Sequence, residues 1–392
     1  MSYPKRILWL RVFGLAAMQG AITLTWVMYN IYLPEMLVQL GFAAGFAAVI
    51  IIIEKALSIV FEPLFGALSD RTQKFIGNRF PFISLGVILS SALFITLPAI
   101  VIFGDPEKVW RWLLPTFAII WAIAMTMFRT PAIALLWQAV PRQQFPQATG
   151  ILVFIAGLIG ALKPIIQKII LQLGSGFTFT LGSLTLLGAA FFLRRLYPPQ
   201  PPQLNEASSS IQEPTLSFTK LGLLCLVGMG IAWGTRCLFP MVSASLANNL
   251  GEDNIVTGML VFGIVLAFAS IPGGMFASRI GNSYAMLIGL GVTIFLLPLI
   301  AFIPNFLIIV IALFILTFVL SLVFNGAVPL ALSSVPPSRG GLGIGTYFGG
   351  FGLGMSLFSI MAGQVELTSV LQVFIGVIAF LIVGASIALA KE

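Results

Sequence analysis

The sequence contains no histidine and only two cysteines, and charged residues fill only 8% of its 392 positions. Without histidine the chain lacks the usual catalytic base, haem ligand and zinc ligand. Cys225 and Cys237 lie twelve residues apart in one apolar stretch, which favours buried small apolar residues over a redox pair. The glycine-rich stretch 340–354 has no lysine after its glycines and so does not match a phosphate-binding loop. These absences predict a protein that is not an enzyme and holds no cofactor or metal.

Apolar side chains are what the sequence has in excess. Hydrophobic residues make up 59% of the chain, and the mean hydropathy is +1.08. A soluble domain would carry roughly 25% charged residues. The composition therefore predicts an integral membrane protein. A net charge of +8 is typical of the cytoplasmic loops of such proteins, so we expect a lipid bilayer and no nucleic acid as partner.

Twelve apolar runs are long enough to cross a bilayer, whose core of about 30 Å needs about 20 helical residues. They predict an all-α membrane protein with helices at 7–37, 41–69, 81–103, 110–138, 146–173, 176–196, 218–248, 254–277, 283–303, 306–333, 339–364 and 368–390. Pro131 and Pro164 predict kinks within two of these helices.

A polar segment rich in proline and serine separates the sixth and seventh predicted helices. It predicts a linker at 197–217 between an N-terminal six-helix bundle, 1–196, and a C-terminal one, 218–392. Short repeats align at corresponding places in the two bundles: 134–141 with 329–336 and Gly150 with Gly345, at an offset of 195, and 66–71 with 274–279. Two related six-helix halves are typical of a transporter that rocks around a midplane site.

The distribution of basic residues predicts the orientation in the membrane. If the amino terminus is cytoplasmic, only Lys108 and Arg111 fall in external loops. The cytoplasmic segments then contain Lys5, Arg6, Arg71, Lys74, Arg79, Arg142, Arg194, Arg195, Lys220, Arg279, Arg339 and Lys391. This asymmetry predicts that both termini are cytoplasmic. We expect a multi-pass protein of the cell membrane, inner or plasma, with an internal membrane as the alternative.

Residues 62–72 (EPLFGALSDRT) and 77–82 (GNRFPF) form a motif between the second and third predicted helices. The motif resembles the signature of the major facilitator superfamily, and within it most resembles the glycoside–pentoside–hexuronide cation symporters and the sucrose–proton symporters. The resemblance implies the twelve-helix fold of that superfamily and symport of a sugar or glycoside with a proton or Na⁺. Ser58, Asn78 and Gln138 depart from the pattern, because these families often carry charged residues there.

The same motif predicts a cytoplasmic gate. Asp70 ends the second helix and is expected to face the amino terminus of the eleventh, near Ser338 and Gly340, where free N–H groups attract a carboxylate. Arg71, Lys74 and Arg79 are expected to close the same face by ion pairs. The predicted gate residues are Gly66, Asp70, Arg71, Gly77 and Arg79. The alternative is that these charges only set the membrane orientation.

Ionisable side chains at membrane depth are few and should face a partner or a water-filled cavity. They are Glu54, Lys55, Glu62, Arg129, Lys163, Lys168 and Arg236. Glu62 and Arg129 lie at a similar depth, about 12–13 Å inside their helix ends, and could pair. A set for proton or cation coupling is therefore predicted at Glu54, Lys55, Ser58, Glu62 and Arg129. A fixed ion pair between Glu62 and Arg129 is the alternative.

A substrate site is predicted from polar and aromatic residues near the midplane, namely Gln19, Trp26, Asn30, Lys163, Arg236, Asn325 and Tyr347. An aromatic face suits the apolar side of a sugar ring, and amides suit its hydroxyls. Lys163 and Arg236 could contact substrate or instead pair with Glu54. Helix packing or anchoring at the membrane interface is the alternative for the aromatic residues.

The architecture and the membrane charges predict a secondary active transporter, and the resemblance implies a proton- or cation-coupled symporter of a sugar or glycoside. Surplus cations and apolar walls keep open a second hypothesis, transport of an amphipathic anion or lysolipid. A third hypothesis is a non-transporting membrane scaffold or assembly factor that keeps the fold. The expected partners are a small-molecule substrate and a coupling proton or Na⁺, and the expected oligomeric state is a monomer.

Overall fold

The computed structural model describes residue 4 and residues 6–104, 110–197 and 216–390. Within these residues the chain is α-helical with short 3₁₀ turns and contains no strand. Most of the predicted linker, the loop with Lys108, and the positions of Lys5 and Lys391 lie outside them.

The N-terminal half contains eight α-helices in its described residues. They are α1 (Trp9–Gln39), α2 (Phe46–Ile76), α3 (Phe80–Phe103), α4 (Leu113–Ala134), α5 (Leu136–Ala139), α6 (Phe145–Ala161), α7 (Lys163–Leu173) and α8 (Ser175–Leu196).

The C-terminal half contains six α-helices in its described residues. They are α9 (Phe218–Leu250), α10 (Ile255–Ile280), α11 (Asn282–Phe302), α12 (Phe306–Ser333), α13 (Gly340–Ala362) and α14 (Ser369–Leu389).

Eleven segments of the described chain are long and apolar enough to cross a membrane, and they correspond to eleven of the twelve predicted spans. The remaining predicted span is α2, which is 31 residues long but carries at least three charged residues in every 18-residue window. The all-helical prediction is confirmed, and the charges of α2 mark it as a helix that faces the interior of the bundle.

Two predicted spans are each divided into two helices. The predicted helix 146–173 breaks at Leu162, immediately before α7, whose second residue is Pro164. The predicted helix 110–138 continues through Pro131 and breaks four residues later, at Leu135. Proline lacks the N–H that would continue the helical ladder, which explains the break at Pro164.

Close packing between the halves follows two helix pairs, α2 with α13 and α6 with α10. A methyl group added at Gly341 would lie 2.5 Å from the carbonyl oxygen of Gly66, and one at Gly263 would lie 2.8 Å from the Ala161 methyl. The glycines of α13 thus serve close helix packing, and α13 runs unbroken from Gly340 to Ala362. These contacts place α2 beside α13 and α6 beside α10 where the two halves meet.

Candidate functional site

Asp70 holds one end of the bundle shut. We call this end, where α2 finishes and α13 begins, the closed end. The Asp70 carboxylate accepts hydrogen bonds from the backbone N–H groups of Gly341 and Leu342, both 2.9 Å long, and forms an ion pair of 2.6 Å with Arg79. Gly341 and Leu342 lie in the first turn of α13 and Arg79 immediately precedes α3, so free N–H groups and a guanidinium both favour the negative charge of Asp70, which lies six residues before the end of α2. The predicted contact between Asp70 and the start of α13 is present.

Arg79 organises the rest of the closed end. Its side chain is buried and donates to Gln73 at 2.7 Å and to Ser69 at 3.0 Å. Arg71 and Lys74 are both exposed, and neither has a carboxylate within 4 Å among the described residues, so their predicted ion pairs are not among the contacts seen at this end.

Sequence reasoning missed Ser69 and Gln73, although their spacing of four places them on one helix face. Of the predicted gate glycines, Gly66 contacts Gly341, and Gly77 ends α2 with φ of +81°, a left-handed conformation that suits glycine. Both glycines therefore shape the backbone that presents Asp70.

A second polar contact between the halves is related to the first by the internal repeat. The repeat aligns Ser278 with Asp70 and Gln147 with Leu342. In the structure the Ser278 hydroxyl accepts a hydrogen bond of 3.1 Å from the backbone N–H of Gln147, at the start of α6. The counterpart of Gly341 is Pro146, which has no N–H to donate. The neutral Ser278 hydroxyl therefore accepts one backbone hydrogen bond at the place where, in the other half, the Asp70 carboxylate accepts two.

The seam between α6 and α10 is continued by Ser270, whose hydroxyl donates to the carbonyl oxygen of Gly150 at 2.9 Å. Asn325 of α12 donates to the carbonyl oxygen of Ser270 at 2.7 Å and is fully buried. The structure thus places Asn325 in helix packing and not in the wall of the cavity described below, contrary to its predicted place in the substrate site.

Glu62 and Arg129 form an ion pair in the centre of the N-terminal half. The Glu62 carboxylate is completely buried and accepts hydrogen bonds from both Arg129 and Thr130. The Arg129 side chain is 22% exposed, and its guanidinium lies 4.4 Å from the centre of the Phe348 ring on α13. The pairing expected from helix depth is therefore present. Thr130 was missed, because a threonine in an apolar helix gives no signal of its partner.

Glu54 and Lys55, the other charges of α2, are directed toward α1. Tyr29 donates a hydrogen bond to the Glu54 carboxylate, and the Lys55 ammonium lies 4.0 Å from the centre of the Trp26 ring. Trp26 and Tyr29 also pack on Trp121 of α4, with ring centres 4.9 and 4.4 Å apart. Glu54 is thus paired with a tyrosine, and neither Lys163 nor Arg236 forms a salt bridge with it within the part of the chain described.

A cavity of about 680 Å³ lies between the two halves. The predicted site residues in its wall are Gln19, Arg129, Lys163 and Tyr347. Most of the remaining wall is apolar and comes from α6, α9, α10, α12 and α13, including Phe239, Phe262, Phe324, Phe348 and Phe351. The cavity therefore combines an apolar surface with a few cationic groups.

The other predicted substrate residues lie outside this wall. Asn30 donates to the carbonyl oxygen of Trp26 on its own helix, at 2.7 Å, and the Trp26 ring itself packs against Lys55 and Trp121. Among the coupling residues, Ser58 donates to the carbonyl oxygen of Lys55 at 2.6 Å. Asn30 and Ser58 thus form hydrogen bonds within their own helices, and Trp26 contacts neighbouring helices. The sequence pattern alone did not reveal these contacts.

Arg236 is exposed on α9. Its Nε lies 3.1 Å from the sulfur of Met355 on α13, and in the described chain it has no carboxylate within 4 Å. Within the described residues, no group of three or more His, Cys, Asp or Glu side chains is placed to hold a metal ion.

Comparison with known proteins places the architecture in context. Residues 15–233 match the family model described as the Major Facilitator Superfamily. No curated protein sequence matches the chain significantly.

Solved structures match over nearly the whole fold. A bacterial homologue of the iron transporter ferroportin in an outward-facing state has a TM-score of 0.73 and 15% identity, covering 97% of this chain and 99% of that one. The human organic anion transporter MFSD10 (TETRAN) has a TM-score of 0.68 and 14% identity, covering 97% and 98%. The transporter FucP in the outward conformation has a TM-score of 0.70 and 13% identity, also covering 97% and 98%. At these identities the likeness concerns the fold alone.

Proposed function

Because the chain belongs to the Major Facilitator Superfamily, we propose that it is a secondary active transporter that moves an organic solute by alternating access and couples this movement to a proton or Na⁺ at Glu62. The observation that carries the coupling is the completely buried Glu62 carboxylate, whose partner Arg129 reaches the wall of the central cavity. Cation binding at Glu62 would neutralise the carboxylate and release Arg129 toward the cavity. A coupling ion and a substrate would then act on the same guanidinium.

The geometry of the closed end supports alternating access. Asp70 and Ser278 each join the end of one helix to the start of another helix in the opposite half. These hydrogen bonds must break when the halves separate at this end, so they stabilise one conformation over the other. Since the basic residues predict that the closed end is cytoplasmic, the described conformation corresponds to an outward-facing state with both termini in the cytoplasm.

Two substrate classes are compatible with this function. Gln19 and Tyr347 line the cavity and could bind the hydroxyls of a sugar or glycoside, the class implied by the motif at 62–82. However, Trp26 and Asn30, on which the sugar hypothesis also depends, are occupied outside the cavity wall. The apolar wall and its cations favour the second candidate, an amphipathic anion.

Transport by the purified protein in proteoliposomes tests the proposal. We expect 2-naphthyl β-D-glucoside or 2-naphthyl β-D-glucuronide to accumulate under an imposed proton or Na⁺ gradient and to leak out when an ionophore collapses that gradient. Glu366→Gln, which alters an exposed carboxylate, should accumulate normally and is the matched control for Glu62. Absence of both accumulation and exchange for these solutes would favour the scaffold hypothesis.

A further inference from the structure

One face of α13 borders the central cavity and continues beyond it. Phe348 and Phe351 line the cavity. Met355 follows at a spacing that puts it on the same helix face, about 10 Å from Phe348 along the axis. We call Phe348, Phe351 and Met355 the cavity face of α13.

Three cations from three different helices surround this face. Arg129 lies over the Phe348 ring at one end, and Arg236 contacts Met355 at the other. Lys55 lies at an intermediate depth, since a methyl group added at Gly352 of α13 would be 2.8 Å from the Lys55 carbonyl oxygen. Gly352 and Met355 are three residues apart on α13, about 4.5 Å along the axis, so Lys55 and Arg236 approach α13 at neighbouring levels.

The carboxylates nearby do not balance these cations. Glu62 is fully used by Arg129 and Thr130, and Glu54 accepts from Tyr29. Three cations against two carboxylates leave a surplus of positive charge, and Lys163 in the cavity wall adds to it. Neither the Lys55 ammonium nor the Arg236 guanidinium has a carboxylate within 4 Å in the described residues. An unbalanced charge at membrane depth is unfavourable, and an anionic ligand would relieve it.

We infer that the transported substrate is an amphipathic anion whose anionic group binds between Lys55 and Arg236, beside Met355, while its apolar body lies along Phe351 and Phe348. This inference rests on the proposed function and makes it more specific. It gives Lys55 a role in substrate binding in place of the coupling role expected from the sequence. Because Lys55 belongs to one half and Arg236 to the other, the bound anion would contact both halves.

Three probes separate the charge of the ligand from its shape. The probes are 2-naphthyl β-D-glucuronide, which carries a carboxylate, the matched neutral 2-naphthyl β-D-glucoside, and the small anion 2-naphthoate. Binding to the full chain in lipid nanodiscs is measured by calorimetry and by the shift in melting temperature. We expect both anions to bind, and the glucuronide to bind at least tenfold more tightly than the glucoside.

The variants are Arg236→Gln, Arg236→Lys, Lys55→Gln and the control Lys168→Gln, which changes an exposed cation of α7 outside the cavity wall. Arg236→Gln and Lys55→Gln should each weaken the binding of both anions about tenfold to hundredfold, as expected for loss of a hydrogen bond to a charged group. Binding of the glucoside should be unchanged. Arg236→Lys should restore most of the anion binding, and Lys168→Gln should bind like the unaltered protein. Arg236 is exposed, so its variants test the inference even if Lys55→Gln fails to fold.

The inference is overturned if neither anion binds, or if the glucoside binds as tightly as the glucuronide. It is also overturned if Arg236→Gln binds both anions normally. In the last two cases, accumulation of the glucoside under an ion gradient would leave the proposed transport function standing. Binding of anions without accumulation of any probe would instead retain the anion site and contradict coupled transport.

Discussion

The pair of Glu62 and Arg129 allows coupling to be separated from structural support. Glu62→Gln removes the negative charge from a completely buried carboxylate and leaves Arg129 without its ion-pair partner. Removing one partner of a buried pair typically destabilises a protein by about 3–5 kcal/mol. Because the Arg129 side chain is 22% exposed and keeps some access to the cavity, we expect the lower end, about 3 kcal/mol.

Adding Arg129→Gln to Glu62→Gln should recover most of the lost stability, since the double variant contains no unpaired charge. Thr130→Val keeps the ion pair and removes one hydrogen bond to the carboxylate. It should therefore be destabilised by only about 1–2 kcal/mol. Melting temperatures of the two single variants, the double variant and Thr130→Val, measured in one lipid nanodisc preparation, report these differences.

The transport assay uses the same proteins. If Glu62 carries the coupled cation, Glu62→Gln should lose gradient-driven accumulation of 2-naphthyl β-D-glucuronide. It should retain exchange of this solute across equal concentrations, because exchange requires no net movement of the coupling ion. Normal accumulation by Glu62→Gln would refute the coupling role. A double variant that melts no higher than Glu62→Gln would refute the pairing argument.

Three further predictions concern the contacts between the two halves. Asp70→Asn weakens charged hydrogen bonds at the closed end, so a cysteine placed at Thr149 should react faster with an impermeant maleimide added from that side. The expected increase in labelling is about tenfold or more. Unchanged labelling would contradict a gating role for Asp70. Ser278→Ala removes one neutral hydrogen bond and should raise the same labelling by about fivefold or less, so an effect as large as that of Asp70→Asn would contradict the difference between the two contacts. Gly150→Ala would put a methyl group 2.6 Å from a carbonyl oxygen of α10 and should lower the melting temperature. The control Gly188→Ala, whose methyl group would meet nothing within 4 Å, should leave the melting temperature unchanged. Equal melting temperatures of the two variants would show that the seam between α6 and α10 tolerates the methyl group.

The sequence by itself determined the class of protein and eleven of its twelve predicted spans. It also indicated two contacts that the structure contains, Asp70 with the start of α13 and Glu62 with Arg129. These were accessible because charged residues in an apolar chain need partners, and because depth along a helix follows from residue count. Pro164 likewise identified the end of α6, since a missing N–H has the same consequence in any helix.

Only the tertiary structure decided which polar residues face the cavity. Lipid tails and the packed interior are both apolar, so hydrophobic periodicity does not distinguish the inner face of a membrane helix from the outer one. The Asn30 amide donates a hydrogen bond within its own helix, and the Asn325 amide donates one to α10. The same amides could equally have bound a substrate, and the sequence does not distinguish these uses. Lys55 is directed at Trp26, a contact between helices that depends on their relative rotation. That rotation is set by the close approach of glycine-bearing helices such as α13, and it follows from the packing of the whole bundle and not from any one segment.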